Sequence, residues 1–394
     1  MSKIEFSIAI PTYNRLSHLK KAIDSIKKRI VPTDVNLTIL ISNIASSDKT
    51  SEYLDSIKSE KIIINNQPFE DHQNSIANFY SLSKIIPEKT KWVWLHGDDD
   101  YITDHNALSI IISKIRENDH NLKLITACQG NRFNGKQSFH KDTIFNLCNN
   151  IGYHEILGWI SGLILEKNEM RKILENPFLH QHLYQVYENN FGLDKKYCYS
   201  AYPHAMEIYK NLSTFEGIFI NHPLINTQEK TSEELKEHND LWEKENVALR
   251  YLFIIDDFLK LEKLGIIKKN SLSKTFFRYQ VYHLWDHLLS LFLLRLSQNT
   301  HLRIFSSDDN DLVSNFTAFS RIYWEKVLCI EKFLKDKSEK KYLNNIIHAA
   351  KIYSNILINS KGNIGLINLL SNLSKLTSSS DYRMNIVCDQ LELI

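Results

Sequence analysis

Trp92-Val93-Trp94-Leu95-His96-Gly97-Asp98-Asp99-Asp100 is the stretch on which the reading of this chain turns. Trp92 and Trp94 alternate with Val93 and Leu95, which suits a strand buried on both faces. A glycine then turns the chain into three adjacent carboxylates. Such a cluster at a strand end can hold a hard divalent cation, which keeps waters and takes its remaining ligands from substrate phosphates. A second reading stays open, because acidic residues also favour helix N-termini and a helical pattern from Asp104 to Arg116 follows at once. Three like charges repel one another and a cap needs only one, so the metal reading leads. His96 reads as a core histidine or one that supports the cluster from behind.

Outward from this stretch, the first half alternates short apolar strands with helical patterns, the mark of an α/β unit. Strands are expected at 6–10, 37–41, 61–64, 92–96 and 122–127, and helices near 16–29, 49–58, 73–86 and 104–116. Segments 160–165 and 215–220 complete the sheet, with loops around 129–158 and 176–203. From about Ser232 the texture becomes helical, in patterns at 249–264, 272–296, 322–334 and 342–358, and no proline follows Pro223. The expected organisation is an α/β domain over residues 1–228 and an all-helical domain over 229–394.

Composition narrows the class. Net charge is 48 − 46 = +2 over 394 residues, so no basic field draws the chain to nucleic acid. The five cysteines, at 128, 148, 198, 329 and 388, form no CxxC pair. That pattern suits reduced thiols in the cytoplasm and argues against structural zinc. The opening residues lack a signal-peptide core, and no run reaches the roughly 18 apolar residues of a membrane span. A soluble or peripheral protein is expected, cytoplasmic or at the inner face of a membrane. Phe276–Trp285 is aromatic, with Lys268, Lys269, Lys274 and Arg278 nearby. It reads as a core helix first, with anionic-membrane contact or a homodimer face as the alternatives.

The first strand ends in Ile10-Pro11-Thr12-Tyr13-Asn14-Arg15. Polar turns at the carboxyl ends of such strands bind ligands in open α/β sheets. Helix-start amides and Arg15 could receive phosphate there, or Asn14 could simply cap the helix. No GxGxxG or GxxxxGK[ST] sequence is present. The second strand runs into Ser42-Asn43-Ile44-Ala45-Ser46-Ser47-Asp48. These small, polar residues suit a nucleobase pocket, with Asn43 pairing to the base edge and Asp48 capping the next helix.

Taken together, residues 7–15, 41–48, the pair Ala77-Asn78 and residues 94–100 resemble, in order and spacing, the family 2 glycosyltransferases of the GT-A fold. The resemblance covers about residues 4–225, and the Gly-Asp-Asp-Asp form is most similar to abequosyltransferase-like enzymes of bacterial surface polysaccharides. It implies a GT-A-type nucleotide-binding sheet flanked by helices. Pro11, Thr12, Tyr13, Arg15, Asn43, Asn78, Asp98 and Asp99 would bind the nucleotide, and Asp100, with Asp98, would hold Mn2+ or Mg2+ across the diphosphate. Asn43 stands where the family usually has an aspartate, and an amide presents a donor as well as acceptors. A UDP-sugar is the favoured donor, and a saccharide or lipid-linked saccharide the acceptor.

The reaction is expected to invert, which needs a base for the acceptor hydroxyl. The family's Glu-Asp pair is absent near residues 202–207, where His204 is the nearest candidate and Glu207, one turn on, could orient it or act itself. Glu188 and Asp194 are further carboxylates. Two other classes remain: a sugar nucleotidyltransferase, which would normally carry a Gly-rich basic loop after the first strand, and a non-catalytic sugar-nucleotide-binding or scaffold protein.

Overall fold

The structure is a computed structural model and describes residues 3–44, 46–67, 75–118, 121–130, 135–175, 202–228, 244–277, 328–338 and 340–341. The chain divides into two compact units, Met1–Leu179 with Tyr202–Lys230, and His180–Ala201 with Thr231–Ile394.

In the first unit the strands are β1 (Ile4–Thr12), β2 (Val35–Ile44), β3 (Ile62–Gln67), β4 (Trp92–Leu95), β5 (Asp100–Ile102), β6 (Leu122–Gln129), β7 (Ser138–Thr143), β8 (Leu163–Glu166) and β9 (Glu216–Thr227). They form one mixed sheet in the order β3-β2-β1-β4-β8-β6-β9-β5, with β7 paired to β9. β1 lies between β2 and β4, parallel to both. Its Ile8, Ala9 and Ile10 are fully buried, which is why this strand reads as a continuous apolar run rather than an alternating one. Trp92, Val93, Trp94 and Leu95 of β4 are likewise buried on both faces, and each large side chain so placed contributes about 2 kcal/mol of burial.

Helices α1 (Leu16–Lys27), α2 (Thr50–Ile57), α3 (Ser75–Ile85) and α4 (Ala107–Glu117) follow the strands as expected. α1 buries Leu19, Ala22, Ile23 and Ile26, the three- and four-residue spacing that puts one apolar stripe on the sheet. Further on come α5 (Ile144–Ile151), α6 (Tyr153–Leu157), α7 (Lys167–Glu175) and α8 (Pro203–Leu212).

Three segments depart from expectation. The stretch 144–157, read as loop, is two short helices; Thr143 caps the first by accepting a bond from Asn146 N at 3.2 Å. Ile160–Gly162 is a 3-10 turn, not strand. Gly162 lets it press against the neighbouring strand, where a Cβ would come 2.7 Å from Ala127 O. Asp100–Ile102 is neither loop nor helix cap but the strand β5, antiparallel to β9 through Asp100↔Thr227 and Ile102↔Ile225.

In the second unit α9 (Lys244–Lys263) buries Phe253, Ile254, Ile255, Phe258 and Leu261. Phe276 and Phe277 lie on a 3-10 turn, fully buried against Phe258, so for these two the core reading holds. The rest of the aromatic segment, 278–285, and the patterns at 342–358 lie outside the described residues. Among the described residues no helix is long and apolar enough to cross a membrane.

Candidate active site

β2 and β3 lie on one side of β1 and β4 on the other, so the strand order reverses between β1 and β4, the place where open α/β sheets leave a crevice for ligand. The two polar turns identified in the sequence open there. Thr12 Oγ1 donates to Asp98 Oδ2 at 2.8 Å. Arg15 donates to Asp98 Oδ1 at 3.1 Å and to Asp99 Oδ2 at 2.9 Å. From α3, Asn78 Nδ2 donates to Thr12 O at 3.0 Å. Thr12, Arg15, Asn78, Asp98 and Asp99 therefore form one network, drawn from three separated segments. Pro11 is the penultimate residue of β1, and Tyr13 projects just beyond the strand, 51% exposed.

One capping assignment needs correction, and the Asp48 cap of the next helix holds and extends to a second helix. Asn14 sits in the left-handed region at φ 49°, and its side chain accepts from Ser47 N at 2.7 Å instead of capping α1. Asp48 caps instead: Oδ2 accepts from Leu16 N at 2.9 Å, at the start of α1, and Oδ1 from Thr50 N at 3.2 Å, at the start of α2. One carboxylate thus fixes the starts of both helices.

Asn43 is fully buried. Its amide hydrogens go to Ser51 Oγ at 3.0 Å and Asn66 Oδ1 at 3.1 Å, while Oδ1 accepts from Ser46 Oγ at 2.5 Å. An amide has two donor hydrogens, and both are engaged. Asn43 here braces the β2 tip against its neighbours, with no donor left to pair a base edge.

The carboxylate turn is held from behind by two residues that the sequence did not mark. Gln228, just past β9, donates its backbone N–H to Asp99 O at 2.8 Å. Its side-chain Nε2 lies among the carbonyls of His18, Asp98 and Asp100 at 3.1, 3.4 and 3.3 Å. Ser161, on the 3-10 turn, accepts from Gly97 N at 2.7 Å and donates to Asp100 Oδ2. The bonding partners lie 61 to 210 residues apart in sequence, so no local spacing could have disclosed them. Gly97 is required for this closeness, since a Cβ there would stand 3.0 Å from both Asp100 Oδ2 and Ser161 Oγ.

Burial pushes the Asp98 and Asp100 carboxyls up from the usual carboxylate range. At Asp98 the Arg15 charge opposes that rise and the Asp99 charge adds to it; at Asp100 the Asp99 charge adds while hydrogen bonds from Ser161 and the Trp159 indole oppose. Asp100 Oδ1 is buried and accepts no well-formed hydrogen bond among the described residues. An unsatisfied buried carboxylate oxygen is costly, and a hard cation is the partner that its chemistry suits. The donor set therefore fits Mn2+ or Mg2+. Among the described residues no group of three or more His, Cys, Asp or Glu side chains is placed to hold a metal unaided, so the remaining ligands would have to be water and donor phosphates. His96 supports the strand from within: it is fully buried, Nδ1 lies 2.7 Å from Gly97 O, and desolvation lowers its pKa to about 4.

The expected base side is built differently. His204, in the first turn of α8, is buried, and its Nε2 lies 3.0 Å from Leu157 O. Desolvation lowers its pKa to about 4. Glu207 is also buried, with Oε2 paired to Lys210 at 3.0 Å and its backbone carbonyl bonded to Asn211. No hydrogen bond links the two among the described contacts, so the expected His204–Glu207 pairing is not formed. The physical reason is that α8 turns this face inward, onto the turn that ends at Leu157. Glu188 and Asp194 lie outside the described residues.

A parallel-centred sheet with a carboxylate turn at its reversal point defines a GT-A glycosyltransferase fold. S. aureus TarS, solved in complex with UDP-GlcNAc, shares it at a TM-score of 0.50 and 12% identity, over 91% of this chain and 90% of that one. Residues 7–166 match Glycosyl transferase family 2; the chain carries a family 2 domain and is a glycosyltransferase. It is 25% identical over 297 residues to the abequosyltransferase RfbV of Salmonella typhimurium, spanning 68% of this chain and 78% of the relative. An uncharacterized glycosyltransferase of Mycoplasma genitalium is 32% identical over 101 residues, 25% of this chain and 33% of the relative.

Proposed function

We propose that this protein is a metal-dependent transferase that moves a sugar from a nucleotide-sugar donor, a UDP-sugar in the first instance, to a saccharide or lipid-linked saccharide acceptor of a bacterial surface polysaccharide. The observation that carries the reading is Asp100 Oδ1, a buried carboxylate oxygen at the reversal point of the sheet that accepts no well-formed hydrogen bond among the described residues. Asp100 would hold Mn2+ or Mg2+, which when bound supplies positive charge to the diphosphate as it leaves. Thr12 and Arg15 orient Asp98 and Asp99 at the nucleotide side, and exposed Tyr13 offers a ring face to the base. The similarity to the Salmonella abequosyltransferase supports a surface-polysaccharide acceptor, and the family resemblance supports inversion. The donor domain is assigned to residues 1–228 and the helical domain to 229–394.

The acceptor's proton is not assigned to His204 or Glu207, whose burial and existing partners favour a packing role for α8. The test is turnover of a panel of nucleotide sugars with saccharide acceptors, with and without Mn2+. Metal-stimulated release of nucleoside diphosphate with sugar transfer is the expected result. Pyrophosphate release would make the protein a nucleotidyltransferase, and donor binding without turnover would make it a binding or scaffold protein.

A further inference from the structure

Nothing in the family comparison assigns a role to Ser161, yet its hydroxyl closes directly on Asp100 Oδ2, with the Trp159 indole as a second side-chain group directed at the same carboxyl. A serine hydroxyl has one proton to give and lone pairs to receive with. Gly97 N can only donate, and it donates to Ser161 Oγ at 2.7 Å. The hydroxyl proton is therefore left for Asp100 Oδ2. That oxygen is engaged, and Oδ1 of the same carboxylate is the one that accepts no well-formed hydrogen bond among the described residues.

The hydroxyl is held by rigid parts rather than by a loose loop. Ser161 is fully buried. Its carbonyl accepts from the Trp94 indole at 2.7 Å, and the following Gly162 packs too closely on Ala127 O to admit a side chain. The same packing fixes the serine against both β4 and the strand carrying Ala127.

We propose that Ser161 is a positioning residue that decides which oxygen of Asp100 is presented to the divalent cation. Resting on the metal reading above, it assigns Oδ1 as a single-oxygen ligand, with Oδ2 tied back to the 3-10 turn. Groups that orient a metal-binding carboxylate are typically worth about 10–100-fold in metal affinity. A serine that merely braced the turn would lower the melting temperature when removed and leave metal affinity unchanged.

The experiment is Mn2+ binding to the full chain, followed by the electron paramagnetic resonance of the free ion, with UDP and with GDP, alongside the melting temperature of each variant. Ser161→Ala should weaken Mn2+ binding about 10–100-fold, and Ser161→Thr, which keeps the hydroxyl, should restore most of it. Gly97→Ala supplies an independent route, since its Cβ would wedge between the two bonded oxygens without removing either. It should reproduce the metal defect, and it carries the test if Ser161→Ala does not fold. Wild-type affinity in Ser161→Ala, or in Gly97→Ala should it alone fold, with binding lost in Asp100→Ala, overturns the inference and leaves the metal reading standing. Absence of Mn2+ binding by the wild-type chain with either nucleotide overturns both.

Discussion

The rim at the tips of β1 and β4 and the first turns of α8 both bury ionisable side chains, but they treat them in opposite ways. At the rim, Thr12, Arg15 and Ser161 bond three carboxylates while Gln228 holds their backbone carbonyls, and Asp100 Oδ1 still accepts no well-formed hydrogen bond among the described residues. On α8, His204 is bonded to Leu157 O and Glu207 to Lys210, all within the helix or its immediate packing. A site built to receive a ligand keeps capacity in reserve, whereas a packing site uses up its own. The difference supports the proposed ligand chemistry at the rim and a packing role for α8.

The largest test of that contrast is Asp100→Ala. Removing the carboxylate should lower kcat about 1000-fold or more, since charge stabilisation of this kind is usually the dominant contribution. The fold should persist, because the variant also removes a buried group with an unmet bond. Circular dichroism and steady-state rates together decide it; an active, metal-independent variant would reverse the assignment of the rim.

Arg15→Gln comes next. It leaves Asp98 and Asp99 facing each other without their cation, and activity should fall about 10–100-fold, the range seen when orienting groups around a metal ligand are lost. Arg15 is about a third exposed, so the accompanying stability loss should be small, about 1 kcal/mol. Arg15→Lys should rescue part of the activity, because both bonds come from the single nitrogen Nη1 and an ammonium also carries donors enough for two carboxylates. Rates across the three proteins, with melting temperatures, measure it.

The order of the rim was legible in the sequence because its ingredients are local. A run such as Trp92–Asp100 contains strand, turn and carboxylates in nine consecutive residues, and the β1 tip is as compact. The alternation of apolar strands and amphipathic helices likewise gave the parallel half of the sheet, β1 to β4. What escaped was whatever depends on distant partners. β5 exists only because β9 returns beside it, and three residues carry no period of their own. Ser161 and Gln228 acquire their positions from the sheet order. Asp48 was read as a local cap, but one of its oxygens serves Leu16, 32 residues away.

Asn43 tests the boundary between these two kinds of information. The family resemblance implies a base-reading role for it; in the structure it is a buried brace. Asn43→Asp removes the donors that serve Ser51 and Asn66 and buries a charge among acceptors, so it should cost about 2 kcal/mol of stability. The melting temperature should fall while the preferred donor nucleotide stays the same. A changed nucleotide preference at unchanged melting temperature would return Asn43 to the pocket.

His204 gives the smallest effect on turnover and the clearest one on stability. A general base contributes about 100- to 10,000-fold, so a packing role for His204 requires that His204→Gln keep activity within about fivefold of wild type. Its protonation makes a separate prediction. The folded-state pKa is lowered, to about 4 against an ordinary 6.5, so the unfolded chain binds this proton more readily than the folded one. Stability from the neutral ring is therefore fully present above pH 6.5 and is lost as pH falls from 6.5 towards 4, by about 2 kcal/mol between pH 7 and pH 5. Urea unfolding at those two pH values should show wild type losing about that much more than His204→Gln. Equal losses would mean that the ring is solvated or partnered by a charge, and the distinction between a rim with spare capacity and a saturated helix would lose its second half.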